Sequence, residues 1–466
     1  METSKAPALI LTASSQTWAY LYLTLEIHNM TPKPTSLTTP MQSYPPEGAF
    51  LPKELLAQVR QRFLHVDICP YSGKRIFFEN AGGSLTLASV VTRGAEVAGI
   101  PDNEHRDNPA SRAMSEIVAA GREDLATFFG ASSGVIFGGE SGTECLFRVI
   151  RAAALSAEAG GSIVSSAVEH PATFDATAQW ARRTERDWIE VPFDVDTGRV
   201  TAAHYADCVR PDTRIATILH TSPVTGMSMD IAEIAQAIRA VAPECMIIVD
   251  GIQHAPHGFL AVDEYGVDAY VISPYKAYCR FNNGYAWLSS RLSVVEHDRL
   301  SGKPADAWEL GSRDPSALVG VSMMVDYLDW LGTHFADVAS RRARLLAAGQ
   351  AMQAHERALV YRLLHGGMSL PGLCDYPGLH LIGPADAPQR EGVVSFAVEG
   401  VDAKHIVAEL GERGIRVHAR SDDVFSGNIL RPLGLKAVTR ISLAHYNSTE
   451  EIDACLGALA EVLPRP

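Results

Sequence analysis

The chain has 466 residues, 47% of them hydrophobic and 20% charged, and a formal net charge of −14. This composition is typical of a globular protein with a sizeable core, and the length predicts about three domains, or one large domain and one small one. A nucleic-acid-binding surface needs a basic stripe, so the acidic balance argues against a nucleic acid as partner.

Residues 1–48 are predicted to form a poorly ordered extension, because Pro, Ser and Thr dominate from residue 31 onward. The mildly apolar stretch before residue 31 is interrupted by a polar patch at 14–17. It is too short to span a membrane, which takes roughly 20 apolar residues. We therefore expect no membrane as partner.

Beyond the extension, hydrophobic periodicity predicts helices over 51–66 and 111–131, with a short strand and a Gly-rich turn over 75–84 between them. A strand, a Gly-rich turn and a helix are predicted over 134–155. Strands and helices then alternate, with strands at "SIVSSAVEH", "WIEVPFD", "RIATILHTSPVTG", "MIIVDGIQ" and "AYVISPYK". Alternation of this kind predicts a parallel sheet covered by helices, with ligands at the carboxyl ends of the strands.

After residue 332, a long Arg- and Ala-rich helix is predicted to lead into a smaller α+β region. The elements of that region are expected over 392–400, 402–417 and 439–462. The seven cysteines include no pair with the CxxC spacing of a zinc or redox site. We expect no metal site, and we expect buried free thiols in a reducing cytoplasm.

Two motifs at predicted strand ends are each only weak evidence for a ligand-binding site. The turn "GGESGTE" (138–144) opens a helix, so it is suited to hold a phosphate, although a Gly-rich turn is more often only a turn. His170 in "VEHP" follows a strand. It is either a structural or surface histidine, or one that stacks on a planar ligand.

Two further strand ends bear ionisable groups. Asp250 closes an apolar run in "IIVDGIQH", where a carboxylate is costly unless it is paired, with a helix N-cap as the alternative interpretation. Lys276 in "VISPYKAYCR" is either a solvated charge or a desolvated amine able to form a Schiff base. A lysine, an acid and a phosphate pocket together match the requirements of pyridoxal phosphate.

With these motifs, the sequence resembles the class V aminotransferase superfamily (fold type I), in its cysteine desulfurase and selenocysteine lyase branch. The resemblance covers about residues 75–461 and rests on "SGTE", "VEH", "VDGIQ", "SPYK", "WELGSRD" and "RISLAHYN". It implies a large cofactor-binding domain over 49–332 with a mainly parallel seven-stranded sheet. It also implies a small α+β domain over 333–466, on which residues 49–75 would pack.

The resemblance also implies roles for individual residues. His170 would stack on the ring of pyridoxal phosphate, Asp250 would pair with the ring nitrogen, and Gln253 would hydrogen-bond the ring hydroxyl. Lys276 would form the internal aldimine. The phosphate ligands would be Gly142, Thr143, Ser273, Tyr275 in place of the family's histidine, and Ser312.

The remaining implications concern the substrate and the assembly. Ser312 would reach the phosphate of a neighbouring subunit, which implies a homodimer. Arg440 would bind the α-carboxylate of an amino-acid substrate as a bidentate fork.

The sequence also departs from the family pattern. The desulfurases of this branch carry a nucleophilic cysteine ahead of the "RxSL" segment, and residues 416–440 contain none. Pro223 replaces the asparagine near the ring hydroxyl. His254 and His257 add imidazoles beside Asp250, either to tune proton transfer or, more often for such residues, to pack or lie at the surface.

We therefore predict a C–S lyase that eliminates a leaving group from cysteine or an S-substituted cysteine, with Lys276 as the base. The alternatives are an aminotransferase or an amino-acid epimerase. A cysteine desulfurase or a non-catalytic cofactor-binding protein is less favoured, since Lys276, Asp250 and Arg440 are present but the loop cysteine is not.

Overall fold

The structure is a computed structural model and describes residues 49–367 and 370–464. The predicted extension over 1–48 lies outside the described residues. The elements from the start of the described chain to the second strand of the main sheet are, in chain order, α1 (Lys53–Gln61), β1 (Ile68–Cys69), β2 (Gly73–Lys74), β3 (Ile76–Phe77), α2 (Ala88–Ala98), α3 (Pro109–Phe129), β4 (Val135–Gly139), α4 (Gly142–Ser156) and β5 (Ser162–Ser166).

The rest of the main sheet and its helices follow. The elements are α5 (Pro171–Arg183), β6 (Asp187–Val191), α6 (Ala202–Cys208), β7 (Thr213–Leu219), α7 (Ile231–Val241), β8 (Met246–Asp250), α8 (Val262–Tyr265), β9 (Ala269–Ile272), β10 (Gly284–Leu288), α9 (Ser290–Ser293) and α10 (Pro315–Gly332).

The main sheet has seven strands in the order β4-β10-β9-β8-β7-β5-β6. Strand β10 pairs antiparallel with both β4 and β9, and the other pairs are parallel. Helices cover both faces, so the central strands are apolar on both sides, and Ile247, Ile248 and Val249 of β8 have no exposed surface. This confirms the predicted mainly parallel, seven-stranded α/β architecture.

The C-terminal part is built on a second, smaller sheet. Its elements are α11 (Arg341–His365), β11 (Leu379–Leu381), β12 (Val393–Val398), α12 (Ala403–Glu412), β13 (Ile415–Arg416), β14 (His418–Ser421), α13 (Gly427–Leu430), β15 (Ala437–Ser442) and α14 (Thr449–Val462). The sheet has the order β11-β12-β15-β14 and is antiparallel throughout. Helices α11, α12 and α14 bury their apolar faces against it.

Local signals explain where several elements begin and end. Helix α3 begins after Asn108, whose side chain accepts a hydrogen bond from Ser111 N, and ends at Gly130, which has a positive φ of 67°. Some predicted elements are shorter than expected. The predicted helix over 51–66 ends at Gln61. Of the short strand and Gly-rich turn predicted over 75–84, the strand covers Ile76–Phe77, and an isolated bridge from Glu79 to Ser442 follows it.

The N-terminal described segment contacts the C-terminal elements. Strand β3 pairs in parallel with β13, and Arg60 of α1 forms an ion pair with Glu451 of α14 at 3.1 Å. The boundary between domains at residue 332 stays a prediction. Within the described ranges, no helix has the length and apolar character needed to cross a membrane.

Candidate active site

A cavity lies at the carboxyl ends of the main-sheet strands. The loops after β4, β5, β7, β8 and β9 all open into it, as expected for parallel strands. The residues that line it are Ser141, Gly142, Thr143, His170, Leu219, Pro223, Asp250, Ile252, Gln253, Ser273, Tyr275 and Lys276. The structure therefore brings eight of the ten predicted site residues to one cavity, and Arg440 and Ser312 are outside this lining.

Asp250 forms the deep anionic end of the cavity. Its side chain is 2% exposed and accepts hydrogen bonds from Ile252 N at 3.0 Å and from Thr173 Oγ1 at 3.2 Å. Burial raises the pKa of Asp250, and the Ile252 amide, Lys276 and Thr173 only partly oppose this shift. A cationic ring nitrogen facing this carboxylate would favour its ionised form. Thr173 is a residue that the sequence analysis did not identify.

Lys276 lies in the single turn of 3₁₀-helix that follows β9, and it is 8% exposed. Its Nζ donates a hydrogen bond to Gln253 Oε1 at 3.0 Å. Burial, together with the neighbouring charges of Arg440 and Arg420, lowers the pKa of Lys276 to about 7, against a smaller opposing effect of Asp250. A large fraction of the amine is therefore neutral and nucleophilic near neutral pH.

His170 stands at the start of α5 as its N-cap residue. Its Nδ1 accepts a hydrogen bond from Ala172 N at 3.1 Å, which orients the imidazole. Burial, with the charges of Lys276 and Arg420, lowers the pKa of His170 to about 4. The ring is therefore neutral near pH 7 and suited to stack on a planar ligand.

The opposite end of the cavity is an anion-binding cradle. Ser141 caps α4, and its side-chain oxygen accepts from Glu144 N at 3.1 Å, while the amides of Gly142 and Thr143 begin the helix. A Cβ at Gly142 would overlap Ser273 Oγ and Ile252, so only glycine leaves this space open.

Behind Lys276 lies a buried network of imidazoles and carboxylates. Gln253 Nε2 is 3.2 Å from His257 Nε2, and His257 Nδ1 is 2.7 Å from Glu356 Oε2 on α11. His254 pairs in the same way with Glu391 at 2.6 Å. Both histidines are buried, so they are not surface residues, and each is hydrogen-bonded to a buried carboxylate.

Two arginines from the small sheet form the other side of the site. Arg440 of β15 is 3% exposed, and its Nη1 donates to the carbonyl of Pro223 at 3.0 Å. Its Nε is buried without a hydrogen-bond partner. Burial and the charge of Arg420 lower the pKa of Arg440 to about 9. Sequence reasoning missed Arg420, because the segment around it was searched only for a cysteine.

Ser312 is exposed in the loop before α10, and the structure does not place it in the cavity. Its predicted contact with a neighbouring subunit stays a prediction.

The donor set fits pyridoxal phosphate. The α4 N-terminus with the hydroxyls of Thr143 and Ser273 would hold the phosphate, and Asp250 would hold the ring nitrogen. Lys276 is the buried amine that its aldehyde requires. The orphaned, buried Arg440 Nε offers an unused donor for a carboxylate.

Comparison with known proteins agrees with this geometry. The family model "Aminotransferase class-V" matches residues 76–296 and 342–455. A probable cysteine desulfurase of Pseudomonas putida is 28% identical over 321 residues, covering 66% of this chain and 72% of that protein. The aminotransferase-like protein FGM3 of Gibberella zeae is 27% identical over 407 residues, covering 84% of this chain and 95% of that protein.

Solved structures share the fold. The cysteine desulfurase CsdA of Escherichia coli superposes with a TM-score of 0.71 at 22% identity, over 87% of this chain and 98% of that one. A cysteine desulfurase of Thermococcus onnurineus superposes with a TM-score of 0.74 at 19% identity, with the same coverage of both chains.

Proposed function

This chain belongs to the class V aminotransferase family of pyridoxal-phosphate-dependent enzymes, and we propose that it is a C–S lyase. Its substrate would be cysteine or an S-substituted cysteine, from which it eliminates the sulfur leaving group at Cβ. The proposal rests on the predicted roles of Lys276, Asp250 and Arg440, and on what the chain lacks.

One observation carries the choice of elimination over desulfuration. A desulfurase transfers sulfur to a cysteine thiolate, and no cysteine lies in residues 416–440. The nearest cysteine in sequence to Lys276 is Cys279, whose Sγ donates to the carbonyl of Gly320 at 3.5 Å and whose pKa burial raises to about 12. A thiol held in this way is not a nucleophile at neutral pH.

The other cysteines do not replace it. Cys455 is buried in α14 among the apolar side chains of the small sheet, and Cys374 lies in the loop between α11 and β11. Burial raises the pKa of both thiols. Cys69 differs, because a hydrogen bond with Ser72 lowers its pKa to about 7, but it does not line the cavity. With no thiolate at the cavity, the sulfur would leave with its own substituent.

The chain's own residues would divide the reaction between them. Arg440 binds the α-carboxylate, and Lys276 Nζ takes the Cα proton as general base. Bound pyridoxal phosphate supplies the sink for the electron pair that the proton leaves behind. Asp250 keeps the ring nitrogen protonated, and Gln253 orients Lys276 by accepting its hydrogen bond. The electron pair left at Cα then forms a Cα=Cβ double bond, while the C–S bond breaks and the thiolate leaves with the C–S bonding electrons. The released 2-aminoacrylate tautomerises and hydrolyses to pyruvate and ammonia.

Transamination is the second candidate. The Gibberella zeae relative, which covers more of this chain than the Pseudomonas putida relative does, is an aminotransferase-like protein. The same base and carboxylate site would serve that reaction, with the proton returned to the cofactor side.

Product analysis separates these reactions. The holoenzyme is incubated with cysteine and with a panel of S-alkyl and S-aryl cysteines, without an added keto acid. Elimination releases pyruvate, ammonia and a thiol, whereas desulfuration releases alanine and transamination requires an amino acceptor. Lys276→Ala is the control for uncatalysed decay. Turnover that appears only when a keto acid is added would contradict the lyase proposal and support an aminotransferase.

We also propose that the enzyme is a cytoplasmic homodimer in which the exposed Ser312 contacts the phosphate site of the partner subunit. Seven free cysteines without a disulfide support a reducing compartment. Sedimentation equilibrium of the holoenzyme tests the dimer, and a particle of one chain's mass, 50.3 kDa, would contradict it.

A further inference from the structure

Arg420 lies beside Arg440 on the small sheet. Strands β14 and β15 pair antiparallel, with His418 opposite Arg440 and Arg420 opposite Val438. Residues two apart on a strand point to the same face, so Arg420 and Arg440 are diagonal neighbours on one face of the sheet. Arg420 lies close enough to lower the pKa of both Lys276 and His170 through its charge. Its charge therefore acts on the cavity from the same face of the small sheet as that of Arg440.

The guanidinium of Arg420 has no anionic partner among the described residues, and its contacts are with Phe425, whose ring centroid lies 6.0 Å from its Cζ. Its Nη2 donates to the carbonyl of Phe425 at 3.1 Å, and its Nε is buried without a hydrogen-bond partner. In the described part of the chain, no carboxylate oxygen lies within 4.0 Å of a guanidinium nitrogen of Arg420, so this side chain forms no ion pair there. A partly buried, unpaired guanidinium is costly unless a ligand pairs with it.

The acidic residues nearest in sequence are engaged elsewhere. Asp422 forms an ion pair with Arg431 at 2.7 Å. Asp423 raises the pKa of Arg420 through its charge, but it is exposed, and its Oδ1 accepts from Phe425 N at 2.8 Å. The adjoining segment is anchored on the main sheet by Asn428, whose Nδ2 donates to the carbonyl of Ala167 at 2.7 Å.

The remaining acidic groups near the cavity do not neutralise the two arginines. Glu79, which acts on Arg440 through its charge, is bound to Arg416 and His418. Burial raises the pKa of Glu169 well above its usual range, which favours the neutral form of this side chain. Asp250 lies at the far end, where the ring nitrogen would pair with it. The substrate side of the site therefore has two unpaired cations.

We propose that Arg420 is a second anion site and that the preferred substrate is an amino acid whose side chain ends in a carboxylate. Arg440 takes the α-carboxylate, and Arg420 takes the side-chain carboxylate through the donors that are unused in this structure. This inference rests on the proposed function only for the role of Arg440. It names the substrate class that the cavity selects, which the lyase proposal leaves open.

Calorimetric titration of the holoenzyme with unreactive carboxylates tests the second site. Succinate is compared with butyrate, and glutarate with valerate, so that each pair has the same number of carbons. At least one dicarboxylate should bind about tenfold more tightly than its matched monocarboxylate. Arg420→Gln should remove this preference and leave the monocarboxylate affinity within about twofold.

Two further variants serve as controls. Arg420→Lys keeps a charge without the fork and should keep part of the preference. Arg182→Gln removes an exposed arginine from α5 and should keep all of it. The visible absorption band of each variant reports that the cofactor is bound.

The outcomes are distinct. Equal affinities of the wild type for both members of each pair, or a preference that survives Arg420→Gln, would overturn the second anion site. The titration needs no turnover, so a missing pyruvate signal from S-substituted cysteines would refute the lyase alone. For that reason the panel of substrates also includes S-carboxyalkyl cysteines, whose side chains end in a carboxylate. If dicarboxylates are preferred but none of the panel is eliminated, the anion site stands and the reaction is not a C–S lyase.

Discussion

Two groups of buried polar residues lie on either side of Lys276, and they differ in how their charges are balanced. On one side, His254 and His257 each face a carboxylate, at 2.6 Å and 2.7 Å. On the other side, Arg440 and Arg420 each have a buried Nε without a partner. In the first group each imidazole has a carboxylate partner, although Glu356 Oε1 and Glu391 Oε2 are themselves buried without a hydrogen-bond partner. In the second group no anion faces the two guanidinium groups among the described residues, so their charge is balanced only with a ligand.

This difference separates a structural role from a binding role. A buried pair stabilises the fold only while both members are present, since the loss of one leaves an uncompensated group. An unpaired buried cation opposes folding, so the fold retains it at a cost that a bound anion removes. Substitutions should therefore affect stability on the first side and binding on the second.

The largest effect is expected from breaking the His257–Glu356 pair. Glu356→Ala leaves the imidazole of His257 without its acceptor in a buried site, and we expect the free energy of unfolding to fall by about 3–5 kcal/mol. Urea denaturation measures it. Glu409→Ala, which breaks an exposed pair with Arg413, should cost no more than about 1 kcal/mol. An equal loss of unfolding free energy in the two variants would contradict the structural role assigned to the His257–Glu356 pair.

The next effect concerns Arg440. Arg440→Gln removes the proposed α-carboxylate fork, so the affinity of the holoenzyme for butyrate and valerate should fall about a hundredfold. The free energy of unfolding should change by less than about 1 kcal/mol, because the lost charge was unpaired. A variant that unfolds easily but binds monocarboxylates normally would assign Arg440 to the structural group.

The smallest effect is the pH dependence of cofactor capture by Lys276. The pKa of about 7, lowered first by burial and then by Arg440, means that the neutral amine increases as pH rises to 7 and changes little above it. Mixing cofactor-free protein with pyridoxal phosphate should give a capture rate that rises about tenfold per pH unit below 7 and then levels off.

The growth of the visible band measures this rate. Lys276→Ala should show no band, and Lys74→Ala, which changes an exposed lysine, should match the wild type. A rate that continues to rise through about pH 9, as for an ordinary lysine with a pKa near 10.4, would show that Lys276 is solvated before capture.

Much of the fold was predictable because local patterns carried it. The apolar run before Asp250 and the helical periodicity of the segments between strands identify a parallel sheet, and the ends of its strands then share one edge. From the sequence alone, this predicts that His170, Asp250 and Lys276 lie together at one edge of the sheet. The exact ends of elements, such as the short β3, depend on which neighbouring backbone supplies hydrogen bonds.

The sequence by itself determined the main-sheet architecture, the family and the absence of a loop cysteine. Each of these can be recognised from short segments whose residues are close together along the chain. Only the tertiary structure decided that His257 meets Glu356, 99 residues away, and that His254 meets Glu391, 137 residues away. The tertiary structure also decided that Arg420 lies next to Arg440, because the register of β14 against β15 places them on one face of the small sheet. Such contacts arise from how helices and sheets pack, and no local periodicity records them.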